Sequence, residues 1–159
     1  MMRSAWLCVL LGLTTTLVLT GCAQTYVNIP AQAGDVASHD PNSSNVRDIQ
    51  VQAIRVVLRD RPLESPIGII LPEGTEPLFT AAVASDLGEG VYALTDLEGS
   101  PASVIEVDQI RIRGTSAEVD VIRPRGTEGR QTVTVYLTRT PFVGWSVERT
   151  RAWQGIITH

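Results

Sequence analysis

The chain has 159 residues and a formal net charge of −4 at pH 7, a balance that argues against nucleic acid as a partner. All 13 basic side chains are Arg, which excludes Lys-based chemistry such as Schiff bases. The 2 cysteines, Cys8 and Cys22, both lie at the N-terminal end, so the rest of the chain has neither a disulfide nor a thiolate metal site.

Arg3 gives the chain a positively charged start. The apolar run from Ala5 to Leu19 follows, broken by Gly12 and by Thr14, Thr15 and Thr16. It is too short to span a hydrocarbon core of ~30 Å as a helix and suits the apolar region of a signal peptide. It ends in Leu19-Thr20-Gly21-Cys22. These residues resemble the lipobox of bacterial lipoproteins, Leu-(Ala/Ser/Thr)-Gly-Cys.

The resemblance implies a mechanism. The Cys22 thiol is diacylated through a thioether to glycerol. The chain is cut between Gly21 and Cys22, and the new amino terminus is often acylated as well. Two or three acyl chains, at ~0.8 kcal/mol per buried CH₂, hold a protein on a bilayer where a single chain would not. Residues 1–21 are then a signal, and the mature chain is a lipid-anchored, palmitate-type lipoprotein of the cell envelope, outside the cytoplasm and facing the periplasm. Ala23 stands where an inner-membrane lipoprotein often has Asp, which favours the outer membrane in a cell that has one.

Residues 22–44 read as the lipidated Cys and a flexible tether. Pro, Gly, Asn, Ser and Asp interrupt the segment and no periodicity survives. About 20 coil residues give a spacer of ~25 Å. Val27, Ile29 and Val36 are expected to pack locally on the domain. Asp35, His39 and Asp40 are the only potential metal ligands here, and without a further His or Cys no metal site is expected.

Residues 45–159 read as a single α+β domain. Val46, Ile49, Ala53, Ile54 and Val57 recur at helical spacing, with Asn45 as N-cap and an end near Asp60, before Pro62. Ile67 to Leu71 is a short apolar run between Pro66 and Pro72 that suits a buried strand. Thr75 is placed to cap a second helix, Glu76 to Leu87, with Leu78, Phe79, Ala82 and Val83 as its apolar face. Gly88 and Gly90 end it, Val91 to Leu94 forms a further short strand, and Asp96 to Pro101 is a loop.

Four longer β-rich runs follow: Ser103 to Arg113, Ser116 to Arg123, Gln131 to Arg139, and Trp145 to Trp153. Their short connections imply an antiparallel meander. Alternation puts Ile110, Ile112, Ala117, Val119, Val121, Val133, Val135 and Leu137 on one face, and Arg111, Arg113, Glu118, Asp120, Thr132, Thr134 and Tyr136 on the other. Cross-strand pairs of Arg111 or Arg113 with Glu118 or Asp120 are expected on the polar face.

The fold class is therefore α+β: two helices packed on a curved, mainly antiparallel sheet that ends in a four-stranded meander. The order of elements resembles the cone of nuclear-transport-factor-2-like, cystatin-like proteins, in which a curved sheet wraps helices. A two-layer sandwich of another topology is the alternative.

No catalytic set emerges. His39 lies in the tether and His159 is the last residue, so no triad forms inside the domain. Pro72-Glu73-Gly74-Thr75 has one glycine and no Lys, unlike a phosphate loop. Glu106, Asp108, Glu118 and Asp120 are the only carboxylates placed to act as an acid/base pair, and four carboxylates on antiparallel strands more often form a solvated sheet face. The last strand carries Trp145, Val147, Arg149, Arg151 and Trp153 at one parity, so its pattern switches from apolar to cationic. Either the strand runs past the core or a bulge flips it. Arg149, Arg151 and Trp153 are the candidate binding residues, for a carboxylate or a sugar ring. No cofactor is expected. The functional expectation is a non-catalytic binding or assembly module that meets another envelope protein or peptidoglycan. The alternative is a small-molecule binder or enzyme using the interior of the curved sheet.

Overall fold

Helix α1 (Ser44–Asp60) follows from the apolar stripe: Val46, Ile49, Ala53, Ile54 and Val57 are all buried. Its start differs from expectation. Ser43 is the N-cap, its hydroxyl accepting the Val46 N–H at 3.4 Å. Asn45 is drawn away because its Oδ1 accepts the Trp145 indole N–H at 2.8 Å. At the other end, the Arg123 guanidinium donates to the Val57 carbonyl at 3.3 Å, a cation on the negative end of the helix dipole. The computed structural model describes residues 26–33, 35, 39–96, 101, 103–126 and 129–153. The signal, Cys22, Val36, most of the loop after Asp96, and His159 lie outside the described residues.

The sheet has seven strands: β1 (Val27–Ile29), β2 (Ile67–Ile70), β3 (Val91–Ala93), β4 (Ser103–Arg113), β5 (Ser116–Pro124), β6 (Arg130–Thr140) and β7 (Gly144–Ala152). Their order is β3-β2-β4-β5-β6-β7, with β1 also on β4. β2 runs parallel to β3 and β4, and all other pairs are antiparallel. The expected meander is β4 to β7. Helix α1 lies across it, and Ile105, Val107, Ile110, Val119, Val121, Val135 and Leu137 fill the space beneath.

Helix α2 (Pro77–Leu87) packs on α1 and β3. Glu76, and not Thr75, holds the cap position. The Thr75 hydroxyl instead donates to the Pro72 carbonyl at 2.7 Å, and the Glu76 N–H is taken by Asn42 Oδ1 at 2.8 Å. The inward row is Phe79, Val83 and Leu87, one residue every four; Leu78 falls outside it and is 84% exposed. Arg47 ties the two helices, pairing with Asp86 at 2.7 Å and donating to the Ala82 carbonyl at 3.2 Å.

Strand β1 corrects the reading of 22–44 as a free spacer. β2 covers only Ser103 to Glu106 of the long strand β4, which would leave the next stretch of its edge unpaired. Val27, Asn28 and Ile29 fill it, opposite Ile112, Arg111 and Ile110. Ile29 is 2% exposed and belongs to the core. Asp35 then fixes the turn that follows, accepting the Gln32 N–H and the Asn28 side-chain amide, each at 2.7 Å.

Two bulges break the alternation. In β4 the extra residue is Asp108, between Val107 opposite Val121 and Gln109 opposite Asp120. In β7 it is Glu148, between Val147 opposite Leu137 and Arg149 opposite Tyr136. Each moves the residues after it to the other parity.

Candidate functional site

With one face of the meander against α1, the other is open. The bulge at Glu148 decides what that open face carries. Trp145 and Val147 point inward, and the next paired residues, Arg149 and Arg151, lie opposite Tyr136 and Thr134. Of the two sequence alternatives, the bulge is the one realised.

The three candidate binding residues therefore meet the polar residues of the neighbouring strands. The Arg149 guanidinium lies 4.2 Å from the centre of the Tyr136 ring. That of Arg151 lies 4.0 Å from the centre of the Trp153 ring. Stacking of this kind stabilises by about 0.5–1 kcal/mol at exposed sites and leaves the guanidinium edge free to donate. Neither arginine forms an ion pair among the described residues.

Beneath them runs a continuous hydrogen-bond chain across four strands. The Trp153 indole N–H donates to Thr134 Oγ1 at 2.8 Å, and the Thr134 hydroxyl donates to Asp120 Oδ1 at 2.5 Å. The other oxygen of Asp120 accepts from Arg111 at 2.7 Å. Arg111 also donates to Glu118 at 3.2 Å and to Gln109 at 2.8 Å. Glu118 in turn accepts the Tyr26 hydroxyl at 3.2 Å. The hydrogen bond from Asp120 is the main reason the Arg111 guanidinium is held above its ordinary value.

Together these residues line a shallow groove of about 390 Å³, walled by Trp153 and Tyr136 and floored by Thr132, Thr134, Asp120, Glu118 and Arg111. Trp153 is 44% exposed, so its ring is available to a ligand. The groove offers fixed donors, fixed carboxylate acceptors and two aromatic rings. That combination orients a polar partner by hydrogen bonds and stacking.

The four carboxylates considered for acid/base work are divided. Glu118 and Asp120 share Arg111, Glu106 pairs with Arg130 on the same face, and Asp108 sits exposed at the bulge. The carboxylates near the N terminus serve local turns: Asp35 as above, and Asp40 by accepting the Asn42 N–H at 2.9 Å. No group of three His, Cys, Asp or Glu side chains suited to a metal occurs among the described residues. A second, mainly apolar cleft of about 310 Å³ lies where β2 leads into α2, lined by Ile69, Leu71, Pro77 and Leu94 with no charged side chain.

Sequence reasoning missed Tyr136, Thr134 and Tyr26 as parts of the groove. Tyr136 and Thr134 were legible as polar-face residues, but their place beside Arg149 and Trp153 depends on the bulge. Among the described residues no helix is long and apolar enough to cross a membrane. No protein-family model, curated protein or solved structure matches the chain.

Proposed function

We propose that this is a lipid-anchored bacterial cell-envelope protein, held by acyl chains on Cys22, whose α+β domain is a non-catalytic binding module. Its site is the open sheet face around Arg149, Arg151 and Trp153. One observation carries this reading: the sheet buries one face completely and presents on the other a groove whose polar groups are already fixed. Preorganised donors and rings lose little freedom on binding, so a modest contact area suffices.

The groove suits a partner that carries carboxylates alongside stackable surface, either an acidic segment of another envelope protein or peptidoglycan. Outer-membrane placement is the reading that Ala23 favours. The alternative, a small-molecule binder or enzyme inside the curved sheet, has the packing of α1 against it. Ile49, Ile54, Val119 and Val135 fill that interior, each fully buried.

The test is crosslinking in intact cells from a photoreactive residue at Thr132, followed by pull-down. A reproducible adduct that disappears in Arg149→Ala/Arg151→Ala and in Trp153→Ala supports the reading. An adduct indifferent to all three substitutions, or none, removes the groove as the site. Labelled-palmitate incorporation lost in Cys22→Ser checks the anchor separately.

A further inference from the structure

The strand register brings several remote residues to one end of the sheet. Arg113 pairs with Ser116 at the β4–β5 turn, and Ser116 pairs with Thr138 near the end of β6. The Arg139 N–H donates to the Thr115 carbonyl at 2.7 Å, so the β4–β5 and β6–β7 turns are adjacent. β1 enters the sheet at this same end, since Val27 lies opposite Ile112. Tyr26, just before it, stands beside the Arg113 guanidinium, 5.7 Å from its ring centre.

The β6–β7 turn projects furthest. β6 continues two residues past Thr138, to Thr140, which adds ~7 Å before the turn begins. Its tip is Pro141-Phe142-Val143, with Phe142 99% and Val143 77% exposed. The turn itself does not require them: Gly144, at φ +78°, supplies the reversal. Two large apolar side chains are thus held outward with no intramolecular contact to repay their hydration.

Cys22 lies four residues before Tyr26. Even fully extended, that length of chain reaches only ~14 Å. Because β1 absorbs most of the segment read as a spacer, the anchor has to emerge close beside the Phe142 tip.

We propose that the Pro141–Val143 tip is a membrane-contacting element that enters the interface of the bilayer in which Cys22 is anchored. This rests on the reading of Cys22 as lipidated. Phe142 and Val143 enter the acyl boundary. Tyr26, Arg113 and Arg139 sit at headgroup level, where amphipathic rings and long cationic side chains are favoured.

The experiment uses the full mature lipoprotein in phosphatidylethanolamine/phosphatidylglycerol vesicles. A Val143→Cys variant is labelled with an environment-sensitive fluorophore, the native thiol being blocked by its acyl chains. Glu64→Cys, in the loop at the opposite end of the domain, is the reference. Expected is a blue-shifted emission at position 143, with quenching by doxyl-labelled lipid several-fold stronger than at position 64. Adding Phe142→Asp should return the label to water. Mass spectrometry of the N-terminal peptide reports the acyl chains. An acylated protein whose label at 143 is as wet as at 64 overturns the tip and leaves the anchor standing. A protein without acyl chains overturns both.

Discussion

Gln50 lies on the buried side of α1, fully shielded from solvent, and neither its amide nitrogen nor its oxygen has a hydrogen-bond partner among the described residues. A buried, unsatisfied polar group costs about 1–3 kcal/mol. Gln50→Met keeps the length of the side chain and removes both polar atoms. It is expected to raise stability by about 1–3 kcal/mol, read as a higher urea midpoint at unchanged slope. A lower midpoint would mean that the amide is held by a partner after all. Asp35 gives a second residue-level prediction. The Gln32 N–H, and after it the Asn28 amide, hold its carboxyl below the ordinary value of 3.8, against a weaker opposing effect of burial. A carboxylate whose folded value is lowered stabilises fully above its unfolded value and loses that contribution as pH falls through the folded one. Hydrogen-exchange protection at the β1 turn should therefore fade only below pH 3.8, and an Asp35 titration midpoint at or above 3.8 by NMR would refute the clamp. Residue roles were the least legible part of the sequence. Ser43, Ser44 and Asn45 are three consecutive potential caps, and the choice is made by Trp145, 100 residues away, which recruits Asn45.

At the scale of elements, the long strands were legible because each alternates over many residues. β4 was read to its exact bounds, and β5, β6 and β7 within a residue or so. β1 was not, because three residues carry no period. The available clue was indirect: β4 is much longer than the strand that pairs with its first half. Ile29→Ala tests whether β1 is structural. Removing a fully packed core side chain costs about 2–5 kcal/mol, whereas the same change in a free spacer costs nothing measurable. Denaturant unfolding of the unacylated mature chain separates the two. The bulge at Glu148 lay between these extremes. The switch from Trp145 and Val147 to Arg149 and Arg151 at constant parity signalled a break, but only the pairing with Tyr136 shows on which face the arginines land.

For the whole molecule, residues 26–153 behave as one cooperative body, and the boundary drawn at residue 45 from composition cuts through it. A chain beginning at Asn45 lacks β1, the Tyr26–Glu118 contact and the Asn42 bond to Glu76. It is expected to unfold at a markedly lower urea concentration than one beginning at Ala23, and equal midpoints would return the segment to the status of a spacer. Double substitution of Arg149 and Arg151 by Ala should leave that midpoint within about 0.5 kcal/mol, as expected for exposed side chains outside the core. The α+β class was legible from the order of elements. The groove was not, because its members come from β4, β5, β6 and the end of the chain and meet only through strand register.

The placement of β1 also has a mechanical side. A pull on Cys22 enters the domain at Tyr26 and runs along the axis of β1. The Val27–Ile112, Asn28–Arg111 and Ile29–Ile110 pairings are then loaded in shear and must yield together, where a sideways pull would unzip them singly. Asn28, in the middle of that clamp, lies opposite Arg111, the hub of the groove network. With the acyl chains in place as proposed, tension between membrane and partner would thus pass through the same three-residue strand that neighbours the binding face.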